Sequence, residues 1–343
     1  MKIDEIARVA KVSRSTVSRV LNGNPNVRKN TREAVERVIR EQNYVPNAAA
    51  RSLASKRAGV VGVVLQNISQ PYWAGLFAQI EQELRHNGYG VLVSGYSTSK
   101  TASSYLGDYQ AVLRNLLIQN VDGIIIALAN DLDGKELDIL RSTDKPFVVI
   151  QSSVSDSDIL RVNIDNVKTA ETLTNYLLDC GHVSICHAAG PTGSSIARDR
   201  LQGFINAMNA HHIQVDDGSI INCGSMFEDG YWCMQRIIKK KKLPTAVFFQ
   251  NDISAYGGIL AANEQGIRIP EDISVAGIDR LSNMLDVSGL LPDLTSMEMP
   301  ISGLGNAAGK MIIDIIEKDA RPENALLSCE LHEGRTVRNL LKG

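Results

Sequence analysis

Residues 3–22, IDEIARVAKVSRSTVSRVLN, decide how the rest of the chain is read. Their apolar members fall at Ile6, Val9, Ala10, Val12, Val17, Val20 and Leu21. That spacing predicts two short helices whose inner faces meet across a turn near Lys11-Val12. Ser13 is placed to cap the second helix, which puts Arg14, Ser15 and Thr16 at its N-terminal end. In a helix-turn-helix this end presents side chains to base edges in the major groove. A bare helical hairpin would share the apolar pattern, but not the outer face. That face carries Arg8, Arg14 and Arg19 without matching acids, amid the small hydroxyls of Ser13, Ser15, Thr16 and Ser18.

Charge supports the same reading. The 343-residue chain has a formal net charge of −2, but its two parts differ in sign. Residues 1–57 hold 13 basic and 5 acidic residues, leaving 23 basic against 33 acidic in the remainder. A basic head is the electrostatic footprint of a polyanion ligand, and an acidic body repels one. A length of 343 residues suits two or three domains, and 44% hydrophobic residues is a globular composition. The start, MKIDEIARVA, lacks an apolar signal core, and no apolar run reaches spanning length. Five scattered cysteines fit reduced thiols. A cytoplasmic protein without membrane attachment is expected.

Beyond the hairpin, Ala34, Val35, Val38 and Ile39 keep helical spacing within Lys29–Gln42 and would cover the first two helices. Thr31 and Arg32 open that helix, where backbone N–H groups and a basic side chain suit a phosphate. Pro46-Asn47 then leads into AAARSLASKR, an alanine-rich segment of about two helical turns that would be marginal alone. The expected division is a head over 1–45, a linker over 46–58 and a body over 59–343.

From Gly59 onward, apolar runs alternate with amphipathic patterns. Strands are expected at Val60–Leu65, Val91–Ser94, Gly123–Ala127 and Phe147–Ile150, then at Ser184–Ala188, Ala246–Phe249 and Ile273–Ala276. Helices are expected near 73–87, 103–119 and 132–142, then near 167–179, 196–211, 228–239 and 254–265. Two such series predict two doubly wound α/β lobes on parallel sheets, with a ligand cleft outside the carboxyl ends of the strands. Gln66, Tyr72 and Trp73 follow the first strand; Arg200, Asn251, Asp252 and Asp279 come from the second series. A guanidinium fork, carboxylates, amides and an aromatic platform suit a polyhydroxylated ligand. More ordinary roles stay open: Arg200 pairing with Asp199 or Asp252, Asn251-Asp252 closing a turn, and the two aromatics packing a helix start.

The run A-x-x-A-x-V-S-x-x-T-V-S-R-V-L-N resembles the DNA-binding head of the lactose-repressor/galactose-repressor family of bacterial transcriptional regulators. Val27, Thr31-Arg32 and Asn43-Tyr44-Val45-Pro46-Asn47 extend the likeness. In the body it continues through Val121-Asp122-Gly123, Cys180-Gly181-His182, Arg200-x-x-Gly203-Phe204, Asn251-Asp252, Ile269-Pro270-x-Asp272-Ile273-Ser274 and Gly305-x-x-Ala308. The resemblance implies a periplasmic-binding-protein-like body crossed three times by the chain, near residues 161, 291 and 325. The lobes would then be 59–161 plus 292–324, and 162–291 plus 325–343. It implies a homodimer, or a dimer of dimers, on a near-palindromic operator in double-stranded DNA. Arg14, Ser15 and Arg19 would read bases beside Ser13 and Thr16. Thr31 and Arg51 would meet phosphates. A hinge helix would pack at Ala50 against its dimer mate and wedge Leu53 into the minor groove.

The resemblance further implies effector contacts at Arg200, Asn251 and Asp279, with Phe227 as an aromatic cap. A sugar is the expected effector; a nucleobase, a sugar phosphate or a protein coregulator are the alternatives. A periplasmic-type solute-binding protein is a more remote one. Three positions depart from the family pattern: Lys11 stands for a turn glycine, Arg28 for a capping serine, and Arg280 for a second acid beside Asp279.

Other motifs carry less. Gly303-Leu304-Gly305-x-x-Ala308 mimics a dinucleotide fingerprint but lies too late in the chain, so close helix packing is expected. Cys180, His182, Cys186 and His187 are crowded, yet strand alternation aims them apart, and no metal is expected. Lys239–Lys242 closes a helix whose dipole favours cations. No nucleophile elbow, phosphate-binding loop or zinc-protease motif occurs, so neither catalysis nor a cofactor is expected.

Overall fold

The computed structural model describes residues 3–21, 24–42, 44, 57–95, 109–129, 132–151, 158–216, 218–283 and 291–342. The chain forms two compact units, 1–59 and 60–343.

In the first unit, α1 (Ile3–Val9), α2 (Arg14–Leu21) and α3 (Lys29–Glu41) close on a small core of Ile6, Ala7, Val17, Val20, Val35 and Val38. The turn between α1 and α2 puts Lys11 at φ 53°, the left-handed region that glycine enters without the cost a side chain brings. Ser13 caps α2, its Oγ accepting from Thr16 N–H at 3.1 Å. Helix α3 lacks such a cap, because Arg28 offers no side-chain acceptor there. Arg32 tethers the start of α3 instead, donating to the Asn24 carbonyl at 2.6 Å. The expected hinge residues Ala50, Arg51 and Leu53 lie outside the described residues.

The second unit opens with β1 (Val60–Leu65), α4 (Pro71–His86), β2 (Gly90–Gly95), α5 (Tyr109–Ile118), β3 (Gly123–Ala127), α6 (Gly134–Arg141), β4 (Phe147–Ile150) and β5 (Leu160–Ile164). A second series follows: α7 (Asn166–Asp179), β6 (Ile185–Ala189), α8 (Ser195–Ala210), β7 (Ile220–Asn222), α9 (Phe227–Ile238), β8 (Ala246–Phe249), α10 (Asp252–Glu264) and β9 (Ser274–Asp279). The chain ends through β10 (Thr295–Glu298), α11 (Ile301–Lys318), β11 (Ala325–Leu327) and β12 (Glu330–His332).

Two six-stranded sheets result, ordered β11-β5-β4-β3-β1-β2 and β12-β10-β9-β8-β6-β7. Every strand pair is parallel except β10 with β12. The central strands β3, β6, β8 and β9 are buried along their length, as helices on both faces require. In each sheet the winding reverses beside the first strand, between β1 and β3 and between β6 and β8. Those are the points where a doubly wound sheet leaves a crevice at its carboxyl edge.

The chain changes lobes later than the crossings expected near 161, 291 and 325. Strand β5 belongs to the first sheet, β10 to the second and β11 to the first, so the crossings follow Ile164, Glu298 and Leu327. Each crossing strand completes its ladder before it leaves, because an unpaired row of backbone groups inside the lobe would be costly. Helix α11 returns to the first lobe and packs on α4. At Gly305 a Cβ would lie only 2.9 Å from the Ile80 nitrogen, so the glycine pattern there serves helix contact.

Candidate functional site

Two surfaces are candidates, one in each unit. In the head, Ser13, Arg14, Ser15 and Arg19 are exposed and Thr16 and Thr31 half-buried. The Ser13 hydroxyl lies 2.8 Å from those of both Ser15 and Thr16, so the start of α2 is a small hydroxyl cluster beside an exposed arginine. Arg14 approaches Asp4 at 3.7 Å, but with both side chains more than 60% exposed the pair contributes little and leaves the guanidinium available.

In the body, a cavity of about 700 Å³ lies between the carboxyl ends of the two sheets. The first lobe supplies Gln66 after β1, Tyr72 and Trp73 in the first turn of α4, and Gln151 after β4. Pro71 stands at the first position of α4, where its missing N–H is no loss. The Tyr72 and Trp73 rings meet edge to face, centroids 4.9 Å apart, and Gln151 Nε2 donates to the Tyr72 hydroxyl. Burial, reinforced by Asp279, pushes the Tyr72 phenol far above its usual range, so it stays a neutral hydrogen-bonding group. Gln151 holds φ 56°, and its Oε1 has no hydrogen-bond partner among the described residues although the residue is buried.

The second lobe supplies Arg200 from α8, Asn251 before α10 and Asp279 at the end of β9. Arg200 is 3% exposed. Its Nε donates to Asn166 Oδ1 at 3.0 Å and its Nη1 to the Gln250 carbonyl, while among the described residues Nη2 has only the Met299 sulfur at 4.0 Å. Donors therefore remain for a ligand. Burial raises the proton affinity of Asp279, Arg200 opposes that, and Asp252 adds to it. Asn251 caps α10, accepting from Ser254 N–H at 3.2 Å, and donates to the Ser225 carbonyl at 3.0 Å. Its polar atoms are largely spent on holding the cleft wall.

Both ends of the chain now match one architecture. Residues 2–47 fit the model of "Bacterial regulatory proteins, lacI family", and residues 58–334 fit "Periplasmic binding proteins and sugar binding domain of LacI family". The chain belongs to the LacI family of bacterial regulatory proteins. It is 32% identical over 337 residues to the HTH-type transcriptional repressor PurR of Klebsiella pneumoniae, covering 98% of this chain and 96% of that one. Catabolite control protein A of Priestia megaterium is 31% identical over 320 residues, 92% of this chain and 93% of that one. Among solved structures, the Lac repressor dimer bound to operator and the anti-inducer ONPF is similar at a TM-score of 0.83 and 27% identity, covering 98% and 99%.

As a LacI-family regulator the chain is a DNA-binding protein with a ligand-binding body, and two residues expected in its cleft are not there. Asp252 is 1% exposed and turned into the lobe. Its carboxylate accepts from Leu281 N–H at 3.0 Å and from the Ser296 hydroxyl at 2.7 Å, tying α10 to the end of β9 and to β10. Standing at the first position of its helix beside two open donors, it is consumed by structure. Phe227 begins α9 and packs against the second lobe's core, and its neighbour Met226 faces the cleft instead. Arg280, at φ 55°, pairs with Glu298 rather than with Asp279.

Several cleft residues were not anticipated: Gln70, Gln151, Ser194, Met226, Glu228 and Gln250. Gln151 and Gln250 directly follow β4 and β8, so the strand-end rule that selects Gln66 selects them too. Ser194 and Met226 had no such signal, since they bridge the lobes. Ser194 Oγ donates to the Ala129 carbonyl at 2.9 Å, and Gln70 Nε2 lies 2.8 Å from the Met226 sulfur.

The crowded cysteines and histidines are all buried and serve separate parts of the core. His182 bonds the Arg338 carbonyl at 2.9 Å; His187 bonds that of Phe248 at 3.0 Å and lies against the Phe204 and Phe248 rings. Among the described residues no group of three or more His, Cys, Asp and Glu is placed to hold a metal ion, and no helix is long and apolar enough to cross a membrane.

Proposed function

We propose that this regulator is a cytoplasmic repressor that binds a near-palindromic operator as a homodimer and is switched by a sugar or sugar derivative in the interlobe cleft. The carrying observation is the facing of Arg200 and Asp279 with the Tyr72–Trp73 pair across one cavity. A polyol supplies hydroxyl donors to a buried carboxylate, acceptors to the spare guanidinium N–H groups, and an apolar ring face to the aromatics. A nucleobase is less well served, because Phe227 packs against the second lobe's core and, among the described residues, the aromatic rings lining the cleft stand on one wall. A sugar phosphate meets the wrong charge: Arg280 is committed to Glu298, and Glu228 and Asp229 line the cleft.

On DNA, Arg14 and Ser15 read base edges, each good bidentate arginine contributing about 1–3 kcal/mol of discrimination. Arg19 and Thr16 flank them, Thr31 and Arg51 hold phosphates, and Leu53, with Ala50 at the helix pair, wedges the minor groove. An effector shifts the DNA-competent population only by its preference for one lobe arrangement. No turnover is expected of any bound sugar.

The test is recovery of genomic fragments bound by the full-length protein, with and without a sugar panel. A recurrent palindrome whose occupancy changes with one sugar supports the proposal. A palindrome indifferent to every sugar but responsive to a purine base overturns the effector reading. Hydrolysis or modification of the bound sugar would overturn the non-enzymatic one.

A further inference from the structure

The chain crosses between the lobes after Ile164, Glu298 and Leu327. A residue just past each crossing meets one side chain, directly or through a single sulfur. Asn166, the first residue of α7, accepts from Arg200 Nε at 3.0 Å. Met299, between β10 and α11, takes Arg200 Nη2 on its sulfur at 4.0 Å. Cys329, between β11 and β12, donates its thiol hydrogen to that same sulfur, Sγ to Sδ at 3.5 Å. Arg200 belongs to none of the crossings; it stands within α8 and lines the cavity. A hinge consists of the few element-terminal residues that absorb the change in backbone angles when lobes move. Here those residues converge on a guanidinium that also faces the ligand cleft.

The bonds of that guanidinium are unequal. Nε and Nη1 rest on an amide oxygen and a backbone carbonyl, both good acceptors. Among the described residues Nη2 rests on a thioether, a weak acceptor at the end of a flexible, unbranched side chain. Arg200 and Met299 are both buried. A buried, charged N–H is costly to leave on so poor a partner, and an oxygen brought into the cleft is the better one.

Resting on the reading of Arg200 as an effector contact, we propose that Met299 is a positioning residue whose sulfur holds Arg200 Nη2 against the hinge and yields it to an effector oxygen. One arginine then carries cleft occupancy to all three crossings, through Asn166, through Met299 and, by way of the Met299 sulfur, through Cys329. A carboxylate at position 299 would bind Nη2 too strongly to yield it, and an apolar side chain would uncouple the crossing from the cleft.

The experiment is hydrogen exchange, read by mass spectrometry, on the full-length protein without added ligand. Met299→Leu nearly keeps the volume and removes the acceptor. Met297→Leu is the control, the same change in β10 and in the same core, at a residue without a hydrogen bond to Arg200 among the described residues. Met299→Leu is expected to speed exchange about two- to fivefold at 165–167, 299–302 and 327–330 together. Met297→Leu should leave 165–167 and 327–330 at wild-type rates. Acceleration confined to 299–302, or reproduced by Met297→Leu, overturns the proposal.

Calorimetry with D-glucose, D-galactose, D-mannose and D-ribose tests the handover. A sugar that binds the wild type should bind Met299→Leu about two- to fivefold tighter, because Nη2 no longer leaves an acceptor to reach it. Equal or weaker binding overturns the handover and leaves the sugar reading standing. Binding by none of the four overturns the sugar reading alone, since the ligand-free exchange rates decide the role of Met299 by themselves.

Discussion

The two walls of the cleft are made of different material. The first lobe offers rings and neutral amides: Tyr72, Trp73, Gln66 and Gln151. The second offers charge: Arg200, Asp279, Glu228 and Asp229. The difference follows from what each wall is fastened to. Tyr72 and Trp73 are the cleft end of a buried apolar series, continued by Leu76, Ile80 and Leu84, that runs down α4 into the first lobe's core. The charged wall is braced by polar bonds instead, Arg200 to Asn166 and Gln250, and Asp252 to Leu281 and Ser296. One wall is held by packing, the other by a network in which each member leaves a buried orphan if removed.

The largest effect should come from breaking that network. Arg200→Ala removes the guanidinium whose charge steadies two buried carboxylates and frees the Asn166 and Gln250 acceptors. Removing one partner from such an arrangement costs about 3–5 kcal/mol. Urea unfolding should show that loss in unfolding free energy, with its midpoint at lower urea concentration, and the DNA complex should lose its response to effector. A cost under about 1 kcal/mol would show that the charged wall stands without its arginine.

Asp279→Asn separates function from stability on the same wall. The folded-state pKa of Asp279 is raised by burial above the unfolded value, so the native state binds the extra proton. Stability carried by that proton is present at low pH and is lost as pH rises from the ordinary carboxylate range through the raised folded pKa. The wild type should therefore lose stability with rising pH across that window by up to about 1.4 kcal/mol per unit. Asp279→Asn should flatten the slope, gain stability at the alkaline end and bind effector poorly. A slope unchanged in urea titrations at several pH values would move the ionisation elsewhere.

On the packed wall the expected loss is smaller. Tyr72→Phe keeps the ring and its edge-to-face contact with Trp73 but strands Gln151 Nε2, beside an Oε1 that is already unpartnered. One unsatisfied buried donor costs about 1–3 kcal/mol. Thermal unfolding should register it, while effector affinity falls only a few-fold because the platform survives. A loss of affinity as large as in Arg200→Ala would mean that the hydroxyl, rather than the ring, does the binding.

The same contrast governs what the sequence discloses. The head is legible because its signals are local: Ser13 caps three residues from its partner, and Lys11 announces its left-handed turn by standing where a glycine belongs. The long buried strands of the body, such as Val60–Leu65 and Gly123–Ala127, are legible for the same reason. Strands β5, β7, β10, β11 and β12 escape, being only three to five residues long and, apart from the apolar β11, of mixed polarity. They exist because a neighbouring strand is there to pair with, and that neighbour is distant in the chain. The site divides likewise. Residues at or just beyond the ends of strong strands, Gln66, Asn251 and Asp279, line the cleft. Asp252 and Phe227 do not, since one residue of helix advance turns a side chain by about 100°, from the cleft into the lobe. No periodicity signals the cross-lobe contacts of Ser194 and Met226, which depend on how two separately folded lobes meet.

Those contacts set the smallest predicted effect. Gln70 precedes α4 without capping it through its side chain, so Gln70→Ala removes only the Nε2 contact with the Met226 sulfur. A single such bond shifts the balance between lobe arrangements by about 0.5 kcal/mol, roughly twofold in population. Effector affinity should change less than threefold, and Met226→Leu should do no more. The double variant should equal either single one, since both delete the same contact. Ser194→Ala should weigh slightly more, because that hydroxyl donates to Ala129 and also caps α8 through Ala197 N–H at 3.3 Å. Small values would mean that the walls barely hold each other, so closure is driven by whatever bridges the aromatic side to the charged one. A change beyond tenfold for Gln70→Ala would break that view, because the lobes would then close on their own contacts and the effector would only select among states already formed.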